Sequence, residues 1–435
     1  MPLLSWLLNA AYLLVLAIAS PVLLWRAVWQ GKYRAGFGEK LFGLLPKFDG
    51  ERVVWFHAVS VGEVLQLETI VPAFAERNPD ARILITTTTN TGLDVARERF
   101  SKHTCCYFPL DFTWSVKRAM SRVRPEMVVL VELELWPNFI LHAKRSGARL
   151  AMINGRMSDR SFRGYGRIRS LVGRVLECFD VIGAQTDQYA ERIASLGANN
   201  VHVTGSIKFD RVQTERDNPA TNAMRDAFAI GKDDVVLIAG STQQPEEEMA
   251  LRTWQALRRD FPQLRLIIVP RHKERFDEVA RLIRTAGASL YRRSDPDMVP
   301  DSGTVVLLDT LGELRDCWGL ADIAFVGGSF GDRGGQNMIE PSAYGAAVLF
   351  GPNTVNFRDT VERLLAENAA CVVPRTDKFT GIVRSLLVAP EKREILGQAA
   401  RAVVLCRVGA SQRTLDLLDE VCAAPTASQE HRWAA

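Results

Sequence analysis

The sequence predicts an α/β protein built from two doubly wound, parallel-sheet halves behind an N-terminal membrane helix. Three observations predict it. The run from Met1 to Trp25 carries no charged side chain. Two series of short apolar, β-branched runs alternate with helical stretches, and a polar segment from Asp210 to Ala223 separates the two series. Continuous apolar strands spaced by helices imply a parallel sheet covered on both faces.

Apolar residues from Leu3 to Trp25 suffice for a bilayer crossing, which takes about 20 of them. Trp6 and Tyr12 toward one end, and Trp25 and Trp29 at the other, suit the two interfaces, while Pro21 marks a kink or an early end. The start does not clearly offer either the basic region or the cleavage site of a secretory signal, and an in-plane or re-entrant helix is the other reading left open. Arg26, Lys32, Arg34 and Lys40 follow closely. The positive-inside bias then keeps the rest of the chain in the cytoplasm, as a single-pass protein of the inner membrane, and the same cations attract anionic lipid.

In the first half, strands are expected at Val53–His57, Arg82–Thr86, Met127–Val131, Leu150–Ile153, Val181–Ala184 and Val201–Val203. In the second they are expected at Val235–Ala239, Leu264–Val269, Val305–Leu308, Ile323–Val326 and Ala347–Phe350. Few aliphatics and the pair Asn218-Pro219 make 210–223 a linker. The expected organisation is an anchor over 1–30, a first Rossmann-like domain over 31–213, a second over 214–423 and a frayed tail over 424–435. Two such halves present the carboxyl ends of two sheets to a cleft, where ligands of these folds bind.

Composition narrows the function. In 435 residues, 54 basic against 50 acidic side chains leave a net charge of +4, scattered rather than striped, so nucleic acid is not an expected partner. The seven cysteines form no CxxC and no metal-like spacing with histidine, which points to reduced thiols and no metal site. Asp295-Pro296-Asp297 has an acid-x-acid form, but its Ser/Asp/Pro-rich surroundings mark a turn.

Several motifs sit where strands end. Phe56-His57-Ala58-Val59-Ser60-Val61-Gly62-Glu63 places a carboxylate at a helix start, either as a dipole-stabilised acid or as a base projecting into the cleft. Val131-Glu132-Leu133-Glu134-Leu135-Trp136-Pro137-Asn138 brings two carboxylates to one strand end, pointing the same way if strand geometry continues. Gly205-Ser206-Ile207-Lys208-Phe209-Asp210 offers Lys208 either to solvent or to negative charge on a sugar or leaving phosphate.

In the second half, Pro270 ends a strand. Arg271 and His272 follow it as candidates for phosphate or carboxylate recognition, or as helix-capping residues. Gly327-Gly328-Ser329-Phe330 and then Gly334-Gly335-Gln336-Asn337-Met338-Ile339-Glu340 can aim backbone N–H groups at an anion, with Glu340 placed for ribose hydroxyls. Neither a GxGxxG nor a GxxxxGK[ST] pattern occurs, which disfavours hydride and P-loop chemistry.

Taken together, HAVSVGE, VELELWPN, GSIKFD, VPRH, LGEL, and GGSF with GGQNMIEP resemble the transferases of 3-deoxy-D-manno-octulosonic acid (Kdo) over nearly the whole chain. The resemblance implies a GT-B glycosyltransferase, inverting and metal-independent, that needs no cofactor. It would move Kdo from CMP-Kdo to the lipid A precursor. It further implies Glu63 as general base and Glu132 and Lys208 as stabilisers of the transition state, with Glu134 nearby. Pro270, Arg271, Gly312, Glu313, Leu314, Asn337, Met338, Ile339 and Glu340 would contact CMP.

The chain departs from the family pattern at Gln336, where histidine is frequent, and at Gln243-Gln244-Pro245 within Ser241–Glu247. The residues alone also leave open another nucleotide-sugar transferase of the same architecture, or an anchored nucleotide- or lipid-binding scaffold without turnover.

Overall fold

The computed structural model describes residues 2–30, 35–295 and 299–423. The expected turn at Asp295-Pro296-Asp297, the cations Lys32 and Arg34 and the tail from Ala424 fall wholly or partly outside the described residues. Two compact units divide the chain, one taking residues up to Arg211 and again from Val408, the other Val212–Arg407.

In the first unit, seven parallel strands form one sheet: β1 (Arg52–His57), β2 (Ala81–Thr87), β3 (Thr104–Tyr107), β4 (Met127–Val131), β5 (Arg149–Gly155), β6 (Val181–Ala184) and β7 (Val201–Val203). Their order is β3-β2-β1-β4-β5-β6-β7. Successive side chains of one strand serve opposite faces. Val53 and Trp55 enter one core cluster, while Val54 and Phe56 enter the other. Burial on both faces is what makes these strands continuously apolar.

The second unit repeats the plan with β8 (Val235–Thr242), β9 (Leu264–Pro270), β10 (Ser289–Arg292), β11 (Thr304–Leu307), β12 (Ile323–Val326), β13 (Ala347–Phe350) and β14 (Ala370–Val372). Their order is β10-β11-β9-β8-β12-β13-β14, again all parallel. In each sheet the order reverses beside the first strand, between β1 and β4 and between β8 and β12. Ligands of open α/β sheets bind at the carboxyl ends there.

Three strands had no expectation in the sequence: β3, β10 and β14, each at a sheet edge. An edge strand has one ladder and less burial, so it needs no long apolar run.

The linker expected over 210–223 and the end expected for the second domain at 423 both differ from the structure. Pro219–Ala227 is a helix capped by Asn218, whose side chain accepts the Thr221 N–H at 2.9 Å, so the Asn-Pro pair starts a helix instead of lying in a linker. The last described helix, Ala410–Ala423, returns to the first unit, where Leu415, Leu417 and Leu418 bury in its core. Asp210 accepts the Gly409 N–H at 2.6 Å and also that of Ser411, which fastens the helix start. Arg149 donates to the carbonyls of Val421 and Cys422 at its end, both at 2.7 Å.

The N-terminal helix runs unbroken from Pro2 to Gln30 with Pro21 inside it, and the stretch Ser5–Val22 is long and apolar enough to cross a membrane. It does not stand free, however. Tyr12 donates to Asp111 at 2.9 Å and Asn9 to Thr113 at 2.7 Å.

Candidate active site

Glu63, Glu132 and Lys208 come together at the carboxyl edge of the first sheet. Ser60 follows β1 and caps the helix Val61–Gln66. Glu63 closes the reciprocal half of this capping box: its Oε2 accepts the Val59 N–H at 2.7 Å and its Oε1 the Ser60 hydroxyl at 2.8 Å. The carboxylate therefore does not project freely, as the sequence suggests, but is held against its own helix start. Each oxygen keeps a further lone pair. Burial pushes its pKa above the ordinary carboxylate range, the hydrogen bonds pull the other way, and the charges of Glu132 and Lys208 act in opposite senses.

Glu132 begins immediately after β4, on the other side of the strand reversal. Its φ of 60° is left-handed, a conformation that costs a non-glycine residue about 1–3 kcal/mol and gathers at functional sites. Strand alternation thus ends at Val131, and the expectation that Glu132 and Glu134 share a strand face fails. Their proximity instead comes from the turn. The Glu132 N–H is tied to the Ile153 carbonyl at 2.9 Å, and its Oε1 accepts from Gln66 at 3.0 Å.

Gln66 is held in turn by Asn154, whose amide donates to it at 2.5 Å and whose own oxygen accepts the Ile207 N–H at 3.2 Å. Asn154, fully buried with φ 54°, therefore braces both Glu132 and the short helix Ile207–Phe209 that carries Lys208. The Lys208 ammonium lies 3.9 Å from Glu132 and its side chain is 42% exposed. So open a pair adds little to stability. The ammonium thus remains available to other negative charge.

Glu134 belongs to the same cluster. Burial first, and then the neighbouring Glu63 and Glu132 charges, push its pKa up to about 7. Sequence reasoning named this residue only as a neighbour and missed Gln66 and Asn154. Gln66 lies one helical turn after Glu63. Asn154 is an asparagine just before a strand-ending glycine, a residue type that tolerates left-handed backbone. His57, from the same motif as Glu63, is structural. It is fully buried, stacks on Phe108 at 3.7 Å, and is pushed down to about 3 by burial.

In the second unit the candidate residues share the carboxyl edge of the second sheet. Pro270 is buried at the end of β9, and the Arg271 N–H donates to the Thr242 carbonyl of β8 at 3.0 Å, leaving the Arg271 and His272 side chains exposed. Gly312, with φ 90°, precedes Glu313, which pairs with Arg293 at 2.9 Å. Leu314 is half-buried. Met338 and Ile339 bury their side chains, and the Asn337 side chain accepts the Ile339 N–H at 3.0 Å. Glu340 is partly exposed.

The first glycine pair differs from expectation. Its N–H groups are not bare. The buried Glu246 carboxylate accepts from Gly328 at 2.7 Å, Ser329 at 3.0 Å, Phe330 at 3.2 Å and Gln243 at 2.9 Å. Gly327 is required here, since a Cβ would stand 2.6 Å from Glu246 Oε2. Glu246 thus staples β8 to β12. Glu246→Ala should cost about 3 kcal/mol or more by stranding those donors, and Glu246→Gln less, measured by urea unfolding. Gln243 and Gln336 both border Gly328, where a Cβ would lie 3.6 and 3.2 Å from their amide nitrogens.

A sequence model of the family described as 3-deoxy-D-manno-octulosonic-acid transferase (kdotransferase) matches residues 34–211. A transferase of that name from Bordetella pertussis is 35% identical over 95% of this chain and 99% of its own length. The chain belongs to the Kdo transferase family. Another transferase of the same name, from Haemophilus influenzae, is 34% identical over 84% of this chain and 86% of its own. The transferase is thus a glycosyltransferase that moves Kdo in lipopolysaccharide biosynthesis. Its fold is GT-B. It is similar to UDP-GlcNAc 2-epimerase from Neisseria meningitidis, with a TM-score of 0.57 at 14% identity over 85% of this chain and all of that one.

Proposed function

We propose that the transferase attaches Kdo from CMP-Kdo to the lipid A precursor at the cytoplasmic face of the inner membrane, inverting the anomeric centre. The observation that carries this reading is the convergence of Glu63, Glu132, Glu134 and Lys208 at the β1/β4 reversal, on a turn held in a left-handed conformation.

An acceptor hydroxyl must lose its proton as its oxygen attacks the anomeric carbon. Glu63, raised in pKa and fixed by its capping bonds, takes that proton. CMP leaves from the opposite face. Lys208 stabilises the negative charge of the sugar carboxylate and of the departing phosphate, while Glu132, opposite it, holds the ammonium in place and stabilises positive charge on the sugar ring. The second unit binds the nucleotide, with the Arg271 guanidinium on the phosphate, the backbone of Gly312–Leu314 and Met338–Ile339 on the base and sugar, and Asn337 and Glu340 on ribose hydroxyls. Gln243 and Gln336 both border Gly328 with neutral hydrogen-bonding groups, and at Gln336 the family often has histidine.

A monophosphate ester presents no diphosphate that a metal must neutralise, so cationic side chains and backbone N–H groups serve. Among the described residues no cluster of three His, Cys, Asp or Glu side chains is placed to hold an ion. Turnover with CMP-Kdo should persist after EDTA treatment and exceed that with UDP- or GDP-sugars. Strict magnesium dependence, or preference for a diphosphate sugar, would point to another GT-B transferase, and lipid binding without turnover to a scaffold.

A further inference from the structure

The strands that lead to Glu132 and Asn154 leave the first sheet side by side. Val131 of β4 pairs with Ile153 of β5, and the next residue on each, Glu132 and Asn154, is left-handed, with φ of 60° and 54°. The register of β5 on β6 slips between Met152 and Gly155, an irregularity of the kind that re-aims a side chain beside an active site. Gln185, just after β6, holds this bend: its N–H donates to the Gly155 carbonyl at 3.0 Å and its side-chain amide to the Asn154 carbonyl at 2.9 Å. The Asn154 side chain then meets Gln66 on one side and the Ile207 N–H on the other. Both amides are buried, Asn154 completely and Gln66 to 1% exposure.

This chain of bonds has one permitted direction. The Ile207 N–H can only donate, so the Asn154 oxygen accepts it and the Asn154 NH2 group is left to face Gln66. Gln66 must then turn its oxygen to Asn154 and its NH2 group to Glu132. A backbone N–H of the helix that carries Lys208 therefore decides, through two amides, that Glu132 meets a donor there and never a competing oxygen. The Lys208 ammonium approaches the same Oε1 of Glu132, at 3.9 Å. Apolar side chains of similar size would fill this space without the desolvation cost of two buried amides, so the polar pair points to the site it serves.

We infer that Gln66 and Asn154 are positioning residues of sugar transfer: their one-way relay aims the Glu132 carboxylate and locks the Lys208 helix to it, so that the two groups are set as one unit. This rests on the transition-state roles proposed above for Glu132 and Lys208. Neither amide has to touch donor or acceptor. Because both act through groups that contribute in the transition state, their effect belongs to kcat and not to the binding of CMP-Kdo.

Two substitutions of equal size reverse the relay. Gln66→Glu still accepts from Asn154 but sets a carboxylate against Glu132. Asn154→Asp still accepts the Ile207 N–H but cannot donate, so Gln66 must turn its NH2 group to position 154 and its oxygen to Glu132. In the full-length enzyme each should lower kcat by about 10- to 100-fold, the scale of a misplacement of about 1 Å. KM for CMP-Kdo should stay within about twofold of wild type. Gln66→Glu combined with Glu132→Gln restores a match of donor and acceptor, so the double variant should be no slower than Glu132→Gln alone and should resist urea as the wild type does. Near-normal kcat in both relay variants, or a raised KM with kcat kept, while Glu132→Gln is impaired, overturns the positioning role. Near-normal kcat in Glu132→Gln overturns the role proposed for Glu132, and this inference with it. Urea unfolding shows which variants fold, and should one relay variant not, the other decides.

Discussion

Glu63→Gln is expected to lower kcat by about 100-fold or more, the scale of losing a general base. Glutamine keeps an oxygen for the Val59 N–H and a partner for the Ser60 hydroxyl, so the capping box and the fold should survive. A group acting only in the transition state loses kcat and kcat/KM together, whereas a lost ground-state contact would chiefly raise KM. The base acts as its anion and burial raises its pKa. The wild-type rate should therefore fall with decreasing pH at a value above the ordinary carboxylate pKa of about 4.3. That acid limb should vanish in the variant. Near-normal kcat in a folded Gln variant would pass the role to Glu134, which is pushed up to about 7 and lies in the same cluster.

Lys208→Met is expected to cost about 10²–10³ in kcat, as removal of a preorganised electrostatic group does. The methionine keeps the length of the stem and removes only the charge. Stability should barely change, because the 3.9 Å pair with Glu132 is open to solvent. The charge also lowers the Glu63 pKa, so its loss should move the acid limb of the pH profile upward. Measurement of kcat over pH, with urea unfolding as the control, separates this from a folding defect. Unchanged kcat together with an unmoved limb would place Lys208 outside the chemistry.

The pattern of apolar runs carried most of the fold because strands buried on both faces leave a continuous signal. Met127–Val131, Val181–Ala184, Val201–Val203, Ile323–Val326 and Ala347–Phe350 have the bounds expected of them. Edge strands such as Thr104–Tyr107 left no such run. The return of Ala410–Ala423 to the first unit depends on a long-range bond from Asp210 to Gly409, which no local pattern encodes.

The grouping of Glu63, Glu132 and Lys208 was implied by the family resemblance, and it is compatible with motifs that follow strands, whose ends a parallel sheet gathers at one edge. How each side chain is held did not follow. The left-handed turn at Glu132, the Gln66–Asn154 brace and the Glu246 staple between the ends of β8 and β12 are tertiary arrangements. Sequence spacing instead suggested a strand face at Glu132 and a vacant anion cradle at Gly327-Gly328. Asn9 and Tyr12 were submerged in an apolar average, though they are the residues that tie the helix to the protein.

Transfer of Kdo to the lipid A precursor is read most directly from the product made from a defined donor and acceptor. Purified transferase incubated with CMP-Kdo and lipid A precursor, then resolved by mass spectrometry, should yield the precursor extended by Kdo with release of CMP, and Glu63→Gln should yield almost none. An unmodified precursor in the presence of folded wild-type enzyme, or an equal yield from the Gln variant, would contradict it.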